Sequence, residues 1–279
     1  MTLMELKEER PHWSYSSLNG LLNVCSLQWA FERLWKVKSE GPVPGALTFG
    51  SAFHRALEYQ ATGRMNGEPV KAEDLQDLFD TVLRRQVEED GEVDFGEDAD
   101  LDSTAAQGRN LVACYMSNID PAEQVLPHNH TFCVPLATAD GTVLEKPLIG
   151  EADVIVQNGK RSVVDWKSAA ARYSDQKVRT SMQATAMLLG VTRTFGTVDD
   201  FRFDLVVKLK KAPAFESYRT TRTESDYHRL ASMAAVADRI VEAEAFHPNE
   251  SGYACSGCRY KAACKSWHRD RARVISVAT

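Results

Sequence analysis

No apolar run in this chain approaches the roughly 18 consecutive residues of a membrane-spanning helix. The first eleven residues, Met1 to Pro11, are charged where a secretory signal would carry an apolar core. Both absences lead to the expectation of a soluble, cytoplasmic protein with no membrane partner. No G-x-x-x-x-G-K-[S/T] run occurs, so the chain by itself does not unwind a duplex by P-loop ATP hydrolysis. No internal repeat is visible, which argues against solenoids and propellers. Basic residues are missing from one stretch altogether. Between Glu88 and Asp102 there are nine acidic residues and neither Lys nor Arg, which reads as a solvated, mobile loop.

Without that stretch the rest of the chain is near neutral to basic. The whole chain has 33 Lys and Arg against 39 Asp and Glu, a net charge of −6. Basic residues gather at Lys160-Arg161, at Lys208, Lys210 and Lys211, and from Arg259 through Arg273. A basic groove is a local property, so the overall balance neither supports nor excludes a nucleic-acid partner. A length of 279 residues with 43% hydrophobic content is enough for a substantial core, as one large domain or a domain with an inserted lobe.

Cysteine is sparse, with six in all. In this setting thiols point to metal or free cysteine before disulfides. Cys114 and Cys133 have no ligand-like spacing and read as small buried residues. The other four lie at the two ends of the chain. Cys25 stands alone, and Cys255, Cys258 and Cys264 form a C-x-x-C-x-x-x-x-x-C run. Three such thiols suit one metal centre and need a fourth ligand from elsewhere. If that ligand is Cys25, the centre closes nearly the whole chain into one loop. Zinc and an iron–sulfur cluster both accept four thiolates.

Between those ends the periodicity changes once. Residues 14–36, 49–62, 73–89 and 104–119 read as helices. Residues 130–138 and 143–149 read as a hairpin turned at Asp140-Gly141, and 150–156 and 161–167 as a second turned at Asn158-Gly159. A helix over 175–189, strands over 201–210 and 215–221, and a helix over 224–245 follow. Helices, then a sheet with a crossover helix, then a helix and a cysteine-rich tail make an α/β fold.

The second hairpin carries the chemistry. Asp165 and Lys167 share a strand face by period-two alternation. A two-residue loop of Asn158-Gly159 would turn Asp153 to the opposite face. A three-residue, bulged loop of Gln157-Asn158-Gly159, with the glycine left-handed, shifts the parity and brings all three together. The three-residue loop is the expectation. Carboxylates at short range repel unless a divalent cation neutralises them, and Mg²⁺ or Mn²⁺ accepts a few such oxygens plus water.

D-x₁₁-D-W-K after Gly150 resembles the PD-(D/E)XK nuclease superfamily, in its RecB-like branch. Ser14-Tyr-Ser-Ser-Leu18 with Cys25 looks like that branch's opening helix, and Gly50-Ser-Ala-Phe-His54 looks like its G-x-x-x-H motif. Gln183 sits on the crossover helix where the branch has Q-x-x-x-Y. The terminal cysteines are similar to those of the CRISPR-associated iron–sulfur nucleases. The likeness spans about residues 14 to 267. It departs from the branch at Met187, where the family has Tyr, at Ser26, where Pro is common, and at Asp165, where Glu is commoner.

The resemblance implies a restriction-endonuclease-like core with a mixed central sheet flanked by helices, an N-terminal helical lobe and a C-terminal iron–sulfur staple. The corresponding division is 1–125 for the helical region with Cys25 and His54, 126–246 for the nuclease core, and 247–279 for the cluster segment and basic tail. His54, Asp153, Asp165 and the Trp166 carbonyl would hold metal, the imidazole tilting the preference towards Mn²⁺. Asp153, Asp165, Lys167 and Gln183 would form the catalytic set. Cys25, Cys255, Cys258 and Cys264 would hold a 4Fe–4S cluster. Glu58 shares a helical face with His54, and Glu151 a strand face with Asp153, but both stay outside the set. The implied activity is a metal-dependent deoxyribonuclease, an exonuclease on single-stranded DNA or DNA ends. The alternative is a DNA-binding or processing subunit beside a helicase, recombination or CRISPR-adaptation partner, with little activity alone. A redox-sensing iron protein is a third and weaker reading.

Overall fold

The computed structural model describes residues 10–126 and 131–267, with positions 3 and 5 besides. His130 at the start of an expected strand, and His268, Arg269, Arg271 and Arg273 of the expected basic tail, lie outside the described residues.

The opening segment is two helices, not the single one expected over 14–36. The first, Tyr15–Asn19, is capped by Ser14, whose hydroxyl accepts the Ser17 N–H at 3.2 Å. It widens into a π-type turn over Gly20–Val24 and stops, because Cys25 is extended at φ −165° and ψ 113°. The Cys25 sulfur then acts as the cap of the next helix, accepting the Gln28 N–H at 3.4 Å. Ser26–Trp29 starts that helix and Ala30–Leu34 completes it. Both halves turn Leu18, Leu21, Leu27 and Phe31 into one core, so apolar spacing runs straight through the break.

A helical lobe follows: α1 (Gly45–Met65), α2 (Ala72–Asp90) and α3 (Leu101–Met116). They bury Phe49, Phe53, Leu57, Leu75, Phe79 and Leu83 against one another. At the α2–α3 crossing a side chain on Gly108 would meet the Phe79 ring at 1.9 Å, so only glycine allows that approach. The acidic stretch between these helices is more than a solvated loop. Val93–Asp94 pairs in parallel with Val43–Pro44, and Asp90 accepts the Thr48 hydroxyl at 2.7 Å. Asp100 caps α3 in a reciprocal pair with Ser103, where a carboxylate also complements the helix dipole.

The strands are β1 (Gln124–Val125), β2 (Thr131–Val134), β3 (Leu148–Glu151), β4 (Val154–Asn158), β5 (Lys160–Ala169), β6 (Asp200–Val207) and β7 (Ala214–Thr220). The sheet order is β1-β4-β5-β6-β7, and β5–β6 alone is parallel, which makes the sheet mixed. β2 and β3 pair separately, antiparallel. Their connection does turn at Asp140-Gly141, but the paired strands are shorter than expected. The expected strand over 150–156 breaks between Glu151 and Val154.

The crossover from β5 to β6 is also split, into a short helix Asp175–Arg179 and α4 (Met182–Phe195), because the Ser181 hydroxyl caps α4 at the Ala184 N–H. α5 (Glu224–Glu242) follows β7. Ile155, Val163, Phe201 and Phe203 face α4, α5 and the opening segment; Val154, Val156, Val164, Trp166 and Val206 face the α1–α3 lobe. The sheet is thus sandwiched between helical layers, and β6 is buried along its full length. Its three charges are paired: Arg202 donates to Glu123 at 3.0 Å and to Asp204 at 2.9 Å, and Asp200 accepts from Arg219 at 2.9 Å.

Candidate active site

The β4–β5 hairpin sets the site. Asn158 pairs with Lys160 and Gln157 with Arg161, around Gly159 at φ 69°. Only Gly159 lies between the paired residues, so the expected three-residue loop Gln157-Asn158-Gly159 is not formed, because the ladder zips on to Asn158 and Lys160. The parity is the expected one, with glycine at the left-handed position. Continued, the register sets Asp153 opposite Asp165.

The two carboxylates meet different neighbours. Asp153 accepts the Trp166 peptide N–H at 3.0 Å, and Nδ1 of His54, reaching from α1, lies 3.3 Å from the same oxygen. Asp165 is deeper, its side chain 7% exposed. Gln183, in the first turn of α4, donates to its Oδ1 at 2.6 Å. The Lys167 ammonium lies 3.0 Å from Oδ1 and 2.8 Å from Oδ2, but its hydrogen-bond geometry is met only at Oδ1. Asp165 Oδ2 is left buried with no hydrogen-bond donor.

Electrostatics follow from these contacts. Burial pushes Asp165 up to about 6; Lys167 pulls it down and Asp153 adds to the rise. Asp153 is also buried, but its bond to His54 and the charges of His54 and Lys167 outweigh burial and hold it below the ordinary range. Burial works against the charged form of Lys167, yet Asp165 and Asp153 hold its ammonium above the ordinary value. His54 is likewise raised, the bond and charge of Asp153 overcoming burial.

Among the described residues no three His, Cys, Asp or Glu side chains stand close enough to hold an ion as they are. Each carboxylate instead faces a basic side chain, Asp153 the His54 imidazole and Asp165 the Lys167 ammonium. The donor set still suits a hard divalent cation. It offers two carboxylates on facing strands, an imidazole beside them, and a buried carboxylate oxygen whose lone pairs no donor uses. Asp153 opens onto a cavity of about 630 Å³ that Glu58, Glu151, Tyr15 and Met187 also line. Burial, then Asp153, raises Glu58.

The structure therefore gathers His54, Asp153, Asp165, Lys167 and Gln183. The Trp166 side chain points to the other face, where its indole N–H donates to the buried Tyr115 hydroxyl at 2.9 Å. Tyr115 was not anticipated. The available signal was that a buried indole beside the lysine needs an acceptor.

The four cysteines Cys25, Cys255, Cys258 and Cys264 line a second cavity, of about 230 Å³, where they too do not stand close enough to hold an ion as they are. Burial, then the neighbouring Cys25, Cys258 and Cys255, raises the Cys264 thiol. The tail is pinned there by backbone and side-chain bonds. Leu27 N–H donates to His247 O at 3.1 Å, and Asn249 Nδ2 to Val24 O at 2.9 Å. Ser26, where Pro was expected, donates its hydroxyl to His247 O at 3.0 Å and accepts the His247 N–H at 2.9 Å. The Cys25 sulfur accepts peptide N–H groups from Gln28 and Asn249, both at 3.4 Å, an environment that suits a cluster-bound thiolate. Cys114 and Cys133 are half-buried, more open than expected.

The family model of the PD-(D/E)XK nuclease superfamily matches residues 12–265. No curated protein sequence matches the chain. The crystal structure of the "Putative exonuclease" of Eubacterium rectale superposes with a TM-score of 0.54 at 12% identity, over 90% of this chain and 89% of that one. That likeness concerns the fold. The crystal structure of SSO0001 aligns over 74% of this chain and 81% of its own, with 13% identity and a TM-score of 0.27, too low to carry an argument.

Proposed function

The chain belongs to the PD-(D/E)XK nuclease superfamily, and we propose that it is a metal-dependent deoxyribonuclease of the RecB-like branch, acting as an exonuclease on single-stranded DNA or DNA ends. The observation that carries this reading is the convergence of Asp153, Asp165, Lys167 and Gln183 beside a 630 Å³ cavity.

Asp153, Asp165 and His54, with the Trp166 carbonyl, would hold Mg²⁺ or Mn²⁺. When bound, such an ion neutralises the carboxylates, acidifies a water and polarises a phosphoryl oxygen. The chain's own groups do the rest. Lys167 is held in its charged form, so it donates hydrogen bonds to the attacking water or to a non-bridging phosphate oxygen. It is a charge stabiliser, not a base. Gln183 orients Asp165 and, through it, Lys167. In the reaction a water oxygen forms a bond to phosphorus, one P–O bond of the backbone breaks, and the water's proton ends on the leaving oxygen.

Cys25, Cys255, Cys258 and Cys264 would hold a 4Fe–4S cluster, which fits the shared cavity and the N–H bonds to Cys25. Its role is structural, tying segment 247–279 to the opening helices of region 1–125 around the core 126–246. Among the described residues no helix is long and apolar enough to cross a membrane. A helicase or CRISPR-adaptation protein is the kind of partner that would deliver single strands.

The test is cleavage of end-labelled single-stranded DNA by cluster-loaded protein with Mn²⁺ or Mg²⁺, beside circular single strands. Metal-dependent laddering of linear strands, with circles spared and chelator abolishing the reaction, is the expected result. Cutting of circles overturns the exonuclease assignment, and no cleavage of either overturns the standalone enzyme.

A further inference from the structure

Tyr15 lines two cavities. One is the 630 Å³ space in front of Asp153; the other is a cleft of about 360 Å³ running towards α5. The two differ in charge. Glu58, Glu151 and Asp153 line the first, whereas Lys177, Arg179, Arg222 and Arg229 line the second. Among the described residues none of these four cations makes an ion pair. Arg222 is saturated by neutral oxygens only, donating to Thr185 Oγ1 at 2.7 Å, Ser181 O at 3.0 Å and Thr220 Oγ1 at 2.6 Å. Those bonds fix the guanidinium in the wall without cancelling its charge. Asp226 is the one carboxylate lining the cleft; its Oδ2 is taken by the Thr223 N–H at 2.8 Å and hydroxyl at 3.0 Å, and its charge also acts on Arg222 and Arg229, one carboxylate against four cations. Lys177 stands over the Tyr173 ring at 3.5 Å, and after burial the Lys167 charge is what lowers its ammonium. The cleft is thus within electrostatic reach of the site lysine.

Four cations outside any close ion pair, with one carboxylate among them, line a groove that shares Tyr15 with the acidic space and so favour an anion that continues past the site. We propose that this cleft binds the phosphodiester backbone of the DNA strand next to the scissile phosphate, with Tyr15 at the junction of the two spaces. This rests on the nuclease reading of the neighbouring site. The cleft lets an acidic chain (net charge −6) hold a polyanion. It also supplies a strand contact that does not depend on the tyrosine absent at position 187.

The test measures binding without cleavage. In a Lys167→Ala parent, the affinity for 5′-labelled oligothymidylate is followed by fluorescence anisotropy across a salt series. Arg179→Gln with Arg229→Gln removes two exposed cations of the cleft, and Lys71→Gln with Lys160→Gln removes two exposed cations elsewhere. The cleft pair is expected to weaken binding roughly tenfold and to flatten the log–log salt slope by about 1.4, since each single-strand phosphate contact contributes about 0.7. The control pair is expected to change affinity less than about twofold with the slope intact. If the cleft pair behaves like the control while the parent still binds, the cleft proposal is overturned and the nuclease reading stands. If the parent does not bind the strand at all, both are overturned.

Discussion

Gln183 donates to Oδ1 of Asp165 at 2.6 Å, from the first turn of α4 to the middle of β5. One bond therefore ties the crossover helix to the strand that carries both Asp165 and Lys167. Lys167 shares that oxygen at 3.0 Å, so the glutamine fixes the acceptor on which the lysine is aimed.

Gln183→Ala removes the only neutral donor on that carboxylate among the described residues. A loss of about 10- to 100-fold in single-turnover cleavage is expected, the usual scale for a group that orients a metal ligand. Strand affinity should not change. Gln183→Glu sets a second carboxylate against Asp165 and should lose more. Equal rates in all three proteins would remove Gln183 from the site.

A second prediction concerns acid. Burial pushes Asp165 up to about 6, so below that pH its carboxyl carries a proton that a divalent ion must displace. Calorimetric Mn²⁺ affinity is expected to fall as pH drops, by at least about tenfold per unit below 6 and with at least about one proton released per ion, because the His54 imidazole, also raised, must give up its proton as well. An affinity independent of pH between about 5 and 7 contradicts the assignment of Asp165 as ligand.

Lys208 gives a stability prediction away from the site. Its ammonium lies 3.5 Å over the Phe49 ring, and burial pushes it down to about 8 from 10.5. Between those values the unfolded chain binds more protons than the folded one, so this group's contribution to stability rises with pH through that window and is absent below it. Lys208→Met should be at least as stable as the wild type at neutral pH. Its advantage should shrink as pH climbs past 8, read from urea midpoints at the two ends of the window. A constant difference would show that Lys208 is not desolvated.

The cysteine cavity makes its own claim. Protein purified without oxygen is expected to carry about four iron atoms per chain, and Cys25→Ala or Cys258→Ala to lose them. Cys114→Ala should retain them. Zinc in place of iron, with no sulfide, overturns the cluster.

Much of this was legible in the residues. Alternation placed Asp165 with Lys167, and the loop argument gave the right parity for Asp153 although Asn158 pairs with Lys160 and the three-residue loop does not form. Parity is what a two-residue period preserves, while the closing pair depends on local hydrogen bonds. The break at Cys25 was invisible for a related reason. Leu18 and Leu27 bury into the same core on either side of it, and capping by a sulfur has no propensity signal. Long-range partners were out of reach altogether. Ser26 meets His247 and Trp166 meets Tyr115 only because the fold brings them there. The acidic stretch is largely exposed, as its composition says, but composition does not show that Asp90 and Asp100 are engaged by Thr48 and in the α3 cap.

The most direct test of the account is the comparison of wild type with Lys167→Ala on end-labelled single-stranded DNA, with cleavage and binding followed in the same samples. The account predicts that the variant loses cleavage by at least about 100-fold, as expected for a lost charge donor at the transition state, while still binding the strand. Cleavage at the wild-type rate would contradict it, because no other group among the described residues ion-pairs with Asp165.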